Sequence, residues 1–360
     1  MKVVTVVGTR PELIRLSLVF RRFGEVGIDH VLVHTGQNFD PRLSDLFITE
    51  LGLPEPDHHL GVRADQVGEQ IGQIIARSEK VLLQERPDAL LVLGDTNSGL
   101  AAIAATRHGI PIFHMEAGNR CFDWTVPEEK NRRLIDHISE WLLPYTPRSR
   151  EYLLAEGIPS TSIFRLGNPI TDVMAHYRGL REESDILERL ELDCGEFILA
   201  TVHRQESVDV PERLAVICDG LNRVAGDHDL PVVWSVHPRT RRRLAAAGLK
   251  LDPRIGLHEP FGFGDFVALE TAARLAISDS GTVQEECSLL QVPTVTCRDT
   301  TERPETVDCG SNILSGVGDA ARIAECASVM LKSGRDWISP YANDRGVAEK
   351  VVNVMVTNSR

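Results

Sequence analysis

No apolar run in this 360-residue chain reaches membrane-spanning length, so nothing in it reads as a transmembrane helix. The opening "MKVVTVVGTRPE" has a lysine and a short apolar run. Gly8-Thr9-Arg10 cuts that run, which therefore reads as a first strand and not as a secretion signal. Positive charge is also scarce: 39 Lys and Arg against 52 Asp and Glu leave a net charge of -13. A general nucleic-acid binder needs a basic face to neutralise phosphates, so that class is excluded. The seven cysteines are odd in number and form no CxxC pair, which argues against metal or disulfide scaffolds and fits reduced thiols in a cytoplasmic protein. Repeats, low-complexity tracts and long linkers are lacking. No GxGxxG follows any strand candidate, and "GFGDF" at 262–266 has the wrong end and the wrong neighbours for a dinucleotide fingerprint.

What is present is a 42% hydrophobic chain whose length suggests two domains. Short apolar strand candidates alternate with helix-length amphipathic segments, the pattern of a parallel sheet flanked by helices. "KVVTVV", "HVLVH", "ALLVLG" and "IPIFH" form one series, with helical patterns from about Pro11, Asp65 and Asn97. "EFILATVH", "PVVWSVHP", "RLAISDS" and "VPTVTC" form a second. The boundary is expected near "FRLGNPITDV", residues 164–173, where a strand leads into Gly167-Asn168-Pro169 and the pattern restarts. The predicted fold is α/β, two doubly wound Rossmann-like domains facing across a cleft. In such sheets ligands bind beyond the carboxyl ends of strands, so the loops that follow strands carry the information.

Five of these loops have unusual chemistry. In "VVGTRPELIR", Gly8 permits a turn, Pro11 suits a first helical turn, and Arg10 sits where a helix N-terminus already favours anions. "AISDSGTVQEE" repeats that logic, with Ser280, Gly281 and Thr282 at a helix start and Glu286 one to two turns further, within reach of a ribose diol. An N-capped helix with surface glutamates is the plainer alternative for either loop. "LVLGDTNSG" places Asp95 just past a strand, as acid or as N-cap. "HMEAGNRCFDWTVPEEKNRR" gathers Glu116, Asp123, Glu128 and Glu129 among Arg120, Lys130, Arg132 and Arg133. A solvated loop opening a helix would explain such a run. Convergence of Asp95, Glu116 and Glu128 would instead raise a carboxyl pKa by like-charge repulsion, toward the range useful for proton transfer. "TVHRQES" puts His203, Arg204 and Glu206 at a strand end, suited to a phosphate or a departing oxygen.

The ordered segments "GTRPE", "TGQ", "GDT", "HMEAG", "PEEKNR", "HRQES", "SDSGTVQEE" and "RDTTERPE" resemble the non-hydrolysing UDP-N-acetylglucosamine 2-epimerases nearly end to end. The resemblance implies a fold like that of the GT-B glycosyltransferases, a homodimer, no cofactor and no metal. It also implies a last helix, near 343–357, crossing back onto the first domain. The expected domains are then 1–165 plus 343–360, carrying the acid/base groups, and 166–342, binding UDP. The implied reaction inverts C2 of a UDP-2-acetamido sugar by eliminating UDP to a 2-acetamidoglycal and adding it back. By the same resemblance Asp95, Glu116 and Glu128 are the acid/base groups, Arg132 supports them, and His203 lies near the leaving diphosphate. Arg10, Arg15, Ser280, Gly281, Thr282, Glu286, Arg303 and Phe261 make up the substrate-binding set. UDP-GlcNAc to UDP-ManNAc is the leading reaction.

Some segments depart from the family pattern. "EAGNRCFDWTVPEE" resembles a subfamily acting on UDP-2-acetamido-2,6-dideoxy-L-talose. A hydrolysing epimerase and a non-catalytic UDP-sugar-binding regulator are further alternatives. Arg15 stands where relatives carry a lysine. "TGQN" with Phe39 and Asp40 replaces "TGQH", and an expected arginine near residue 66 is missing. The altered "TGQN" and residue-66 positions build a regulatory UDP-GlcNAc site in many relatives. The expected outcome is that the reverse reaction runs at the same initial rate with and without trace UDP-GlcNAc; a large stimulation would refute the loss of that site.

Overall fold

The computed structural model describes residues 1–36 and 47–359; Gln37, Asn38, Phe39 and Asp40 of the altered "TGQN" segment lie outside the described residues. Each half of the chain builds one six-stranded, all-parallel sheet. In the first, β1 (Lys2–Val7), β2 (Asp29–His34), β3 (His58–His59), β4 (Ala89–Leu93), β5 (Ile112–Met115) and β6 (Trp141–Leu143) take the order β3-β2-β1-β4-β5-β6. In the second, β7 (Ile198–Thr201), β8 (Val232–Ser235), β9 (Ile255–His258), β10 (Leu275–Ser278), β11 (Thr294–Thr296) and β12 (Asn312–Leu314) take the order β12-β11-β10-β7-β8-β9. Both are the doubly wound arrangement. The strand order reverses between β1 and β4 in one sheet and between β7 and β10 in the other.

Burial on both faces explains why the interior strands read as continuous apolar runs. In the second sheet Ile198 and Ala200 of β7 join one buried cluster, with Val232 and Trp234 of β8. Phe197, Leu199 and Val233 join the cluster on the opposite face. That is the two-residue alternation of a strand applied to a sheet with no wet side. All eight interior strands fall on the eight apolar runs seen in the sequence. The four strands that the sequence pattern did not reveal, β3, β6, β9 and β12, are the four sheet edges. Their two to four residues carry too little apolar signal to stand out.

The two compact units are Met1–Ala175 with Asp344–Arg360, and His176–Asn343. The first therefore runs past the expected boundary near 165. Residues 163–166 form no strand either: Ile163 makes an isolated parallel bridge to Leu142, and Leu166 N-H donates to the Pro144 carbonyl at 3.2 Å. The helix Pro169–His176 is held to the first unit through the chain's last helix, Val347–Asn358. Asp172 accepts hydrogen bonds from the N-H groups of Gly346 (3.2 Å) and Val347 (2.6 Å), and Asp344 accepts one from Asn168 N-H at 2.9 Å. Those carboxylates satisfy donors that a helix start leaves open. The last helix then packs on the helix Arg10–Val26.

In the second unit the helices Pro211–His228 and Ala320–Lys332 meet at Gly220, where an added Cβ would lie 2.9 Å from Cβ of Ile323. The branched neighbour cannot swing away, so overpacking outweighs the helix propensity that alanine adds. Gly220→Ala is expected to destabilise this unit by about 1–2 kcal/mol, seen as a lower urea midpoint; an unchanged or higher midpoint would contradict the packing argument.

Candidate active site

The loops at both reversal points carry the polar side chains singled out in the sequence. After β1, Gly8 is obligatory, because a Cβ there would sit 2.0 Å from Oγ of Ser98. Glu12, buried in the first turn of the helix Arg10–Val26, closes this loop from within. Its Oε2 accepts from Gly8 N-H (3.0 Å), Thr9 N-H (2.8 Å) and the Thr9 hydroxyl (2.7 Å), and its Oε1 accepts from the Thr96 hydroxyl at 3.1 Å. Burial pushes the Glu12 carboxyl up to about 7 against the pull of these donors. Arg10 stands at the helix start with its guanidinium 5.2 Å from the centre of the Phe47 ring.

Asp95 follows β4 and Glu116 follows β5, neighbouring strands in the sheet. Each faces a buried arginine. Arg15 Nη1 is in contact with Glu116 Oε2, and Asn119 Nδ2 lies 3.4 Å from Oε1. Glu116 itself adopts φ 67°, a left-handed conformation costly for a non-glycine residue. Its N-H donates to the Leu143 carbonyl at 3.2 Å, fixing the turn. Arg132 lays Nε and Nη2 on Asp95 Oδ2, at 2.9 and 2.6 Å. Glu128 occupies the first turn of the helix Pro127–Ile138, and Asn131 of that helix donates to the Asp95 carbonyl at 3.0 Å.

The mixed charges of residues 116–133 are largely consumed by an alternating circuit. From Asp95 it runs to Arg132, then to buried Glu129 (2.8 Å), Arg133 (2.9 Å), Glu156 (2.8 Å), Arg120 (2.6 Å) and Asp136 (2.7 Å). Asp136 meets His114 Nδ1 at 2.8 Å, and His114 Nε2 lies 2.8 Å from the carbonyl of Gly94, next to the starting point. Both ring nitrogens of His114 thereby face oxygen atoms, and the circuit alternates four carboxylates with three arginines and this histidine. Burial alone would push Asp136, Glu129 and Glu156 up. His114 and Arg120 hold Asp136 below the ordinary carboxylate range, Cys121 N-H and Arg132 do so for Glu129, and Arg120 and Arg133 for Glu156.

The second unit presents different chemistry at the equivalent place. Buried Asp279, after β10, accepts from the backbone N-H groups of His203 (3.1 Å) and Arg204 (2.9 Å) and lies 3.4 Å from His203 Nδ1. It thereby holds the loop after β7 and leaves the His203 ring half exposed. Ser280 caps the helix Gly281–Leu290 without a side-chain capping bond. Thr282 occupies its first turn, and Gly281 packs so closely that an added Cβ would lie 2.9 Å from Glu302 Oε1 and 3.3 Å from Arg303 Nε. Arg303 is buried against Glu285 (2.8 Å) and Glu302 (3.1 Å), and Glu302 also meets Arg298 (2.6 Å) and Arg204 (3.3 Å). Arg204 also meets Glu206 at 3.3 Å, so three arginines face three glutamates here, and the helix N-terminus is the feature suited to phosphate. Glu286 is buried beside Glu270, whose carboxyl burial and the Glu286 charge push well above the ordinary carboxylate range. Phe261 packs at 5.7 Å from His258.

Residues 23–356 match the family model described as UDP-N-acetylglucosamine 2-epimerase. The chain belongs to that family. It is 39% identical over 364 residues to a UDP-N-acetylglucosamine 2-epimerase of Methanocaldococcus jannaschii, covering 99% of both chains. The crystal structure of a UDP-GlcNAc 2-epimerase from that organism, in complex with UDP-GlcNAc and UDP, superposes with a TM-score of 0.95 at 38% identity, covering 99% of this chain and 100% of that one. A Pseudomonas aeruginosa UDP-2,3-diacetamido-2,3-dideoxy-D-glucuronate 2-epimerase is also 39% identical, over 350 residues, covering 96% of this chain and 95% of that protein.

For an epimerase of this family, the sequence motifs marked the strand-end residues but not what holds them. His114, Arg120, Glu129, Arg133, Asp136 and Glu156 were not singled out as site residues, and neither were Glu12, Asp279, Glu270 and Glu302. The spacing of Glu129, Arg132, Arg133 and Asp136 on one helix was a usable signal; Glu156, from another helix, gave none. Among the described residues no group of three or more His, Cys, Asp or Glu could hold a metal ion, and no helix is long and apolar enough to cross a membrane.

The Glu12 carboxyl gives a pH test. Its folded value of about 7 lies above the ordinary 4.5, so the folded state keeps a proton that the unfolded state releases. The stabilisation is complete at low pH and is lost as pH rises through this window. Glu12→Gln removes that dependence, so the variant should gain on the wild type by at most about 3 kcal/mol as pH rises from about 5 to about 7. Urea midpoints across that range measure it, and a pH-independent difference would be contrary.

Proposed function

We propose that this protein inverts C2 of a UDP-2-acetamido sugar, most simply interconverting UDP-GlcNAc and UDP-ManNAc without releasing the free sugar. The observation that carries the reading is the pair of strand-end carboxylates, Asp95 and Glu116, each seated on a buried arginine. Inversion needs a proton removed from one face of C2 and another delivered to the opposite face, and two separately held carboxyl groups supply such a pair. The C2 hydrogen is weakly acidic, so its removal must be coupled to loss of a good leaving group. As the base takes that proton, the C2-H electrons form the C1=C2 bond and the C1-O electrons depart with UDP. In the return step a UDP oxygen attacks C1, and an acid protonates C2 from the other side.

The residues of the second unit supply what the leaving group requires. Ser280, Gly281 and Thr282 offer a helix N-terminus to the diphosphate, and Arg204 and His203 add local positive or hydrogen-bonding groups. Glu286 serves the ribose, and Arg10 and Arg303 complete the anion-binding set. Glu128 is the third acid/base group. The relative in Pseudomonas supports a second substrate reading, a diacetamido uronate donor, because its identity equals that of the archaeal epimerase. Both substrates require the same chemistry at C2.

Proton NMR in deuterated water decides. UDP-GlcNAc should acquire deuterium at C2 while UDP-ManNAc appears, and Glu116→Gln should lower that rate by about 10²- to 10⁴-fold. Exchange with only the diacetamido uronate donor would move the assignment to that substrate. Free ManNAc would indicate hydrolysis, and no exchange with either donor would overturn the reading.

A further inference from the structure

Arg132 divides its guanidinium between two acids. Nε and Nη2 meet Asp95, while Nη1 meets Glu129 at 2.8 Å. Glu129 is fully buried and is itself held from three directions. Its Oε2 accepts from Cys121 N-H at 3.0 Å, Cys121 Sγ lies 3.4 Å away, and its Oε1 accepts from Arg133 Nε at 2.9 Å. Arg133 in turn sits 5.4 Å from the ring centre of Phe122 and 5.1 Å from that of Trp124. Those two aromatic residues are 57% and 61% exposed, unusual for side chains of this size. Covering the guanidinium that neutralises Glu129 gives them a reason to be there.

We propose that Glu129 is a positioning residue for proton transfer: by gripping Nη1 of Arg132 it fixes the guanidinium on Asp95, and the Phe122–Arg133–Trp124 stack keeps Glu129 rigid and dry. The inference rests on the epimerase reading above. Arg132 could otherwise rotate about its long side chain and meet Asp95 through a different pair of nitrogens. A charged fork held at both ends loses that freedom. Glu129 acts through Arg132, so its removal affects turnover more than substrate binding.

The test is a double-mutant cycle with Glu129→Gln and Asp95→Asn in the full-length enzyme. Glu129→Gln alone should lower kcat by about 10- to 100-fold with KM within about twofold. In the Asp95→Asn background it should add no further loss. Arg133→Gln, farther from Asp95 and half-buried, should show the same split at smaller size, and covers the case in which Glu129→Gln fails to fold. Equal losses in both backgrounds, or a change in KM alone, would overturn the proposal. Urea unfolding of the same four proteins reads the coupling without turnover. If the wild type epimerises no donor, the functional reading fails; non-additive stabilities would still support the grip on Arg132, and additive ones would sink it.

Discussion

The circuit of ion pairs around the ends of β4 and β5 is the constraint on which the acidic half of the site depends. Seven side chains of alternating charge start at Asp95 and return to the Gly94 carbonyl through His114. Burying so many charges is expensive, and any partner removed alone leaves another stranded. The arrangement is therefore a poor source of net stability. It resists rearrangement because Glu129, Asp136 and Glu156 each have both carboxylate oxygens engaged. Such rigidity is what a carboxylate needs if it must address one face of a sugar carbon and not the other.

Two sheets of the same strand order provide two kinds of reversal point. The first places acids on arginines; the second places a half-exposed histidine and a helix N-terminus over arginines and buried acids. In each, one buried carboxylate secures the loop that follows a central strand, β1 or β7. Glu12 ties Gly8 and Thr9 in one unit, and Asp279 ties His203 and Arg204 in the other. Both work by accepting backbone N-H groups that a tight turn leaves without partners. Backbone strain occurs there too: Glu116 holds a left-handed backbone at the strand end, stabilised by its contact with Arg15 and its bond to Leu143.

The interior of the fold was legible because its physics is local. A strand buried on both faces must be a run of apolar residues, so β1, β2, β4 and β5 and their counterparts β7, β8, β10 and β11 were visible as strings of Val, Leu, Ile and Ala. Edge strands obey a weaker rule. His58-His59 and Asn312–Leu314 are strands because a neighbour offers them hydrogen bonds, which no window of residues records. The unit boundary moved for a similar reason: Asp172 binds the start of a helix that lies far along the chain.

The sequence by itself determined the class of fold, the family, and the strand-end loops that carry Asp95, Glu116, His203 and Ser280, since each of those follows from short patterns of residues. Tertiary structure alone decided the partners. Glu156 and Arg120 are 36 residues apart, and Glu116 and Arg15 are 101 apart, yet each pair meets in the folded chain. The energy of such a contact depends on separation and burial, and neither quantity is written in the order of residues.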